Sequence, residues 1–258
     1  MSSLPDPQPF EEFEPPSPRS PWSVADLVVF GFAFFVIWLL VTVGTVPILR
    51  ILDPDFKVAD VSLADVSPTA LVLMQGVMDL ATLGFIAFLI KVVHGQSFLE
   101  TIHWNKNHQF GTAFLISLGA TLAVSVLIIS SFFPSGEPPI QKLLSSTAAI
   151  YAFVGLGIAV APLFEEIMFR GFLFKVLSDI FGSRTAVPAT AILFGFLHLP
   201  QLWGSWAGVV LIFVVGYILS YIRQRSNSLV PSIIVHASYN SMLFGAFALS
   251  TLVQKAPH

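Results

Sequence analysis

From Leu27 to Val43 the chain carries no charged residue, and apolar runs of this kind recur to its end. About 20 consecutive apolar residues cross the hydrocarbon core of a bilayer as a helix, and backbone polar groups at that depth must bond within the segment. The runs therefore restrict the fold to an all-α, polytopic transmembrane bundle. Composition agrees: 55% of residues are hydrophobic and 10% charged, with mean hydropathy +0.82. A soluble domain carries roughly 25% charged residues. The net charge of -3 includes no basic face, which excludes a nucleic-acid partner. The absence of cysteine excludes disulfides, thiol catalysis and Cys-ligated metal.

Three parts follow in order. Residues 1–21 hold seven prolines and four acids and predict a disordered tail, too polar to bury a core. It has no basic region followed by an apolar run, so it does not read as a signal peptide. Residues 22–144 predict three accessory spans, at about Val24–Leu49, Thr69–Val93 and Phe110–Phe133. An Asp-rich loop (Asp53, Asp55, Asp60, Asp65) joins the first two, and Pro134 to Pro139 form a further loop. The polar stretch 94–109, with Trp104, is expected at the interface. Residues 145–253 predict the catalytic core. Ser145 to Phe181 is about 37 residues long, too long for one span at about 1.5 Å per residue. Pro162 makes it either one kinked helix that emerges from the membrane or two elements. Ala186 to Tyr221 divides at Pro200 and Gly204, and Leu229 to Leu252 is the last span. The count is seven spans, or eight with a turn at Pro162. Seven Lys/Arg on one side (Arg19, Lys91, Lys106, Lys175, Arg184, Arg223, Arg225) against four on the other (Arg50, Lys57, Lys142, Lys255) place the N-terminus in the cytoplasm.

Within Pro162-Leu163-Phe164-Glu165-Glu166-Ile167-Met168-Phe169-Arg170-Gly171, two carboxylates and a guanidinium fall in six residues of an apolar run. Such groups cost roughly 2.5–3.5 kcal/mol each at the bilayer centre and mark functional sites by default. Glu166 and Arg170, four apart, meet on one helix face and predict an internal ion pair. Glu165 points about 100° away and is left free for chemistry. The alternative is a charged network that only joins helices.

Two further clusters follow: His198 at the end of Phe194-Gly195-Phe196-Leu197-His198, and His236 with Asn240 at i, i+4. Measured along their helices, Glu165, His198 and His236 lie about 15, 20 and 15 Å from the same surface. Their common depth predicts one shared cavity. Glutamate and imidazole suit general-base activation of a water, and a second imidazole with an amide suits an oxyanion. Glu165, His198 and His236 could equally hold a zinc ion. Asp79, with Gln75 at i, i+4, is a carboxylate in mid-span outside these motifs.

Taken together, Glu165-Glu166…Arg170, Phe194…His198 and His236…Asn240 resemble the EExxxR, FxxxH and HxxxN/D motifs of the CAAX protease and bacteriocin-processing (CPBP) family, the type II CAAX endopeptidases. The resemblance covers roughly residues 145–252. It implies an intramembrane endopeptidase acting on membrane-associated peptides or proteins, with a cavity open to the cytosol. It implies that Glu165 and His198 activate the water and that His236 and Asn240 stabilise the oxyanion. Glu166 and Arg170 would support the site, and Phe194 would pack beneath it. The family has been described as metal-dependent, but a glutamate-type mechanism without a cofactor is the favoured form. Substrate is not implied, since members range from processing of prenylated proteins to bacteriocin maturation and self-immunity. The competing readings are a non-enzymatic immunity or binding protein of the same fold, and a proton-coupled transporter using Asp79, Glu165 and the histidines. No inverted repeat supports the transporter.

Overall fold

The computed structural model describes residues 20–52, 68–106, 108–133 and 155–255. The tail before Ser20, the Asp-rich loop, the Pro134–Pro139 loop and the start of the catalytic core at 145–154 lie outside them.

Every element among the described residues is helical. The helices are α1 (Val24–Leu52), α2 (Pro68–Phe88, running on through a π-turn at Leu89–Val93), the short α3 (Phe98–Thr101) and α4 (Thr112–Ser131). Then come α5 (residues 156–181), α6 (Ser183–Leu197), α7 (Trp206–Ser226) and α8 (Val230–Lys255). The seven longer helices lie where the seven spans are expected, the start of the fourth falling outside the described residues. Four segments are long and apolar enough to cross a bilayer unaided: Val24–Thr45, Met74–Val93, Thr112–Ser131 and Trp206–Ser226. Helix α6 is apolar but short. The chain is thus a helical membrane protein.

Helix α5 answers the question raised by Pro162. The helix continues through it, so the turn that would have made an eighth span does not form. A π-turn (Leu156–Val160) precedes the α-helical Ala161–Glu166, which holds Pro162 in its first turn. Proline lacks an N–H and clashes with the carbonyl four residues back. The wider turn relaxes that clash and keeps the helix continuous. A second π-turn, Ile167–Leu173, carries Arg170 and leads into Phe174–Phe181.

Helix α5 is central. The rings of Phe169 and Phe172 and the side chains of Ile167 and Met168 join Ile86, Leu89 and Ile90 of α2, Phe30 of α1 and Phe194 of α6 in one apolar cluster. Helix α4 packs closely on α8 at Gly119, where an added Cβ would run into the Val235 carbonyl and the Ser238 side chain. Small residues bring membrane helices into van der Waals contact of this kind. Much of α1 presents large apolar side chains outward, as a lipid-facing helix does. The 94–109 stretch does more than float at an interface. Ile102 is fully buried against Gly171, and Leu229 N donates to His103 O at 3.0 Å. The turn between α6 and α7 closes at Gly204 with φ +88°, at the position expected from Pro200 and Gly204.

Candidate active site

Glu166 and Arg170 stand one turn apart on α5 and both are fully buried. Arg170 Nη1 donates to Glu166 Oε1 at 2.9 Å, the expected pair. The guanidinium also donates from Nη2 to Gly216 O at 2.9 Å and from Nε to Ser220 Oγ at 3.3 Å, both on α7. Its face lies 4.4 Å from the Phe194 ring centroid, so a cation–π contact covers the remaining side. Every charge-bearing atom of this arginine is thus engaged, as burial requires. Gly216 makes the approach possible, because a Cβ there would fall 2.9 Å from Phe194.

The same Glu166 oxygen accepts from His236 Nδ1 at 2.9 Å. A carboxylate can only accept, so the bond puts the proton on Nδ1 and leaves His236 Nε2 facing away from Glu166. His198 is held in the same way. Its Nδ1 donates to Phe194 O, four residues back, at 2.8 Å, and its ring lies 4.4 Å from that of Phe194. Both histidines therefore turn Nε2 outward from their anchors.

Both Nε2 atoms face Glu165. Oε2 of Glu165 is 3.7 Å from His236 Nε2 and 3.9 Å from His198 Nε2. These separations are too long for direct hydrogen bonds and short enough for one water to touch all three groups. Among the described residues, Glu165 Oε2 is buried and makes no hydrogen bond. The neighbouring glutamates thus divide as their 100° offset predicts. Glu166 is tied through Oε1 to Arg170 and His236 while its buried Oε2 makes no hydrogen bond among the described residues, and the unbonded Oε2 of Glu165 is the one that stands beside two imidazole Nε2 atoms.

Asn240 is placed differently. Its Nδ2 donates to Gly157 O at 2.8 Å, a carbonyl in the first π-turn of α5. No hydrogen bond among the described residues joins it to Glu165 or either histidine. The amide still has a second N–H. Phe194 packs under the site, touching the rings of Phe169, His198 and His236 and the Arg170 guanidinium. Asp79 bonds within its own helix, accepting from Gln75 Nε2 at 2.6 Å, and lies within electrostatic reach of Glu165. It forms no ion pair with Arg170.

Sequence reasoning missed several supporting groups: the carbonyls of Gly216 and Gly157, the Ser220 hydroxyl and the Arg223 side chain. Arg223 Nε donates to Arg170 O at 3.0 Å. The π-turn spanning Arg170 makes that carbonyl available. Carbonyl acceptors and π-turns leave no mark in residue identity. Arg223 could have been noticed as a cation inside the last turn of a span, but its position there reads equally well as an interfacial anchor.

As a metal site the group is loose. Ligands on one zinc at about 2.0–2.2 Å stand about 3.3–3.6 Å apart in a tetrahedron, and the Glu165–histidine separations of 3.7 and 3.9 Å are slightly wider. Among the described residues no set of three His, Asp or Glu is spaced to hold a metal ion.

Residues 147–242 match the family model of the Rce1-like type II CAAX prenyl endopeptidases. The chain is also 29% identical over 154 residues to the UPF0177 protein YxdF of Lactococcus lactis subsp. lactis, covering 60% of this chain and 80% of that protein. No solved structure matches the chain. The matched segment contains every motif residue from Glu165 to Asn240, and over it the chain is similar to the Rce1-like type II CAAX prenyl endopeptidases.

Proposed function

We propose that this protein is an intramembrane endopeptidase of the glutamic type, cleaving peptide bonds of membrane-associated proteins or peptides with a water activated by Glu165. The observation that carries the reading is the unbonded, buried Glu165 oxygen facing two imidazole Nε2 atoms at 3.7 and 3.9 Å. Buried carboxylate oxygens are bonded as a rule, and an unbonded one beside two imidazoles calls for an explanation such as a bound water or a catalytic role.

A water between these groups gives one proton to Glu165 while His198 Nε2 accepts its other hydrogen. The hydroxide so formed attacks the peptide carbonyl carbon. The carbonyl oxygen takes the negative charge, and His236 with a proton on Nε2 and the second amide hydrogen of Asn240 supply donors to it. Glu166 beneath His236 Nδ1 balances the imidazolium charge. The C–N bond then breaks, and the proton held by Glu165 passes to the leaving amine. General-base action of this kind contributes about 10²–10⁴-fold, and one oxyanion donor about 10²–10³-fold.

The histidine tautomers favour one second reading. Imidazoles anchored at Nδ1 with Nε2 forward also suit zinc, which His198, His236 and Glu165 would hold and which would lower the pKa of a bound water. The separations of 3.7 and 3.9 Å slightly exceed the ligand spacing of a tetrahedral zinc and suit a bridging water, and chelation separates the two readings.

The Lys/Arg asymmetry supports a cytoplasmic N-terminus, in a protein we place in the cell membrane. The ends of α2, α5 and α7 bearing Lys91, Lys175 and Arg225 would then face the cytoplasm. The bilayer and the substrate are the partners so implied, with no nucleic acid.

The test is cleavage of a membrane-tethered peptide library by purified protein, comparing wild type with Glu165→Gln, with and without chelator. Loss of cleavage in a folded Glu165→Gln protein and indifference to chelator establish the mechanism. Loss on chelation with rescue by zinc replaces it with the metal form. An intact cellular phenotype in Glu165→Gln identifies a binding or immunity role instead.

A further inference from the structure

The two buried arginines among the described residues are treated unequally. Arg170 has Glu166, whereas Arg223, only 2% exposed, has no carboxylate within ion-pair distance among the described residues. Its Nε donates to Arg170 O, and its guanidinium lies 5.3 Å from the Phe174 ring centroid. The two terminal nitrogens make no hydrogen bond among the described residues. A buried guanidinium without a counter-charge is costly, and a nearby anion removes the cost.

Arg223 borders a cleft of about 370 Å³, shared with His103, Lys175, Asp179, Ser183 and Gln224. The charges in the cleft do not cancel. Lys175 is paired with Asp179, whose carboxylate also accepts from Ser20 Oγ at 2.5 Å. Arg223 remains as the uncompensated charge. Ser183 opens α6 just after Gly182, whose φ of +84° turns the chain, and no side chain caps that helix. Ser183 Oγ accepts from Gln224 Nε2 at 3.1 Å and keeps its own hydrogen to donate. The unpaired guanidinium and the Ser183 hydroxyl at the start of α6, with the Lys175–Asp179 pair beside them, supply the donors a phosphate site uses.

We propose that this cleft binds a phosphate group, supplied either by the headgroup of an anionic phospholipid or as free phosphate. The cleft lies where α5 and α7 end and α6 begins, the depth of a lipid headgroup in a bundle of this length. Occupancy reaches the candidate site through one atom pair. Arg223 Nε holds the Arg170 carbonyl, and Arg170 holds Glu166. An anion on Arg223 fixes that chain of contacts from outside. The inference does not depend on the protease reading, because binding is measured directly.

His103 supplies the readout. Burial, then the charges of Arg223 and Lys175, push its imidazole down to about 4 from an ordinary 6.5, with Asp179 and the Asn227 backbone opposing. A bound phosphate offsets those cations, and an opposite charge at this range raises a histidine by about one pH unit or more. The experiment titrates the full chain, histidine-labelled, by NMR in a non-ionic, phosphate-free detergent. Inorganic phosphate and phosphatidylglycerol are added in separate arms, with His103→Gln assigning the signal. Both arms are repeated with Ser183→Asp, which keeps an acceptor for Gln224 while placing negative charge in the cleft. The expected result is a raised His103 midpoint in wild type, and in Ser183→Asp a midpoint already raised and indifferent to ligand. A response to phosphatidylglycerol alone identifies the headgroup, a response to phosphate alone identifies free phosphate, and a response to both supports a site open to either. An unchanged midpoint in both arms, or a response that persists in Ser183→Asp, overturns the proposal.

Discussion

The two faces of α5 are built from the same residue type and serve opposite ends. The face carrying Glu166 and Arg170 is sealed, with both side chains fully buried and Glu166 Oε1 bonded to Arg170 and His236. The face carrying Glu165 is open by comparison, with 22% of the side chain exposed, and although each glutamate keeps one unbonded oxygen, only that of Glu165 faces both imidazole Nε2 atoms. Adjacent carboxylates thus end up as a strut and, in the proposed mechanism, a reagent. The lesson is that reactivity in an apolar bundle is set by which partners are withheld. Arg170, Gly216, Ser220 and Phe194 complete one face, and the histidines stop short of completing the other.

The sharpest break of this comparison is Glu165→Gln. Removing the base is expected to lower cleavage by about 10²–10⁴-fold, while thermal unfolding in detergent stays near wild type, because Oε2 bonds nothing in the described structure. Parallel activity and melting measurements check both halves. Should the variant unfold instead, Glu165 is a strut as well and the contrast collapses.

Glu166→Gln is expected to do the reverse. It leaves Arg170 buried without its counter-charge, a loss of about 3–5 kcal/mol, visible as a large drop in melting temperature. The double variant Glu166→Leu/Arg170→Met removes both charges and is expected to recover much of that stability without recovering activity. A double variant no more stable than the single would show that the pair itself is not what the face requires.

Gly119→Leu tests the scaffold away from either face. Its side chain meets the backbone of α8 at Val235, and overpacking of this kind costs about 1–3 kcal/mol. His236 sits one residue further along α8, so activity is expected to fall together with stability.

The smallest effect belongs to His103. Its imidazole titrates near 4 in the folded protein and near 6.5 when unfolded. Above pH 6.5 both forms are neutral and the group contributes nothing. As pH falls toward 4 the unfolded chain takes up a proton that the folded chain refuses, so stability declines across that window. Melting temperature against pH should show this decline, and His103→Gln should flatten it.

Much of the candidate site was legible in the residues. Spacing of four named the Glu166–Arg170 pair and freed Glu165, since 3.6 residues per turn leaves no other arrangement on one helix. Equal depth along three spans placed Glu165, His198 and His236 together, because helices in a bilayer are held to a common frame. Asn240 shows the limit. The i, i+4 spacing aligns it with His236, yet its amide bonds a carbonyl of α5, an acceptor offered by the neighbouring helix and invisible in the sequence.

By itself, then, the sequence determined an all-helical membrane protein, the order of its spans, and which side chains share a face, all consequences of hydrophobic length and helical period. Only the tertiary structure decided that α5 runs unbroken past Pro162, that both histidines turn Nε2 toward Glu165, and that Arg223 is buried without an acid. Those outcomes depend on π-turns, backbone carbonyls and contacts between helices. Their geometry is settled by packing, which no single helix encodes.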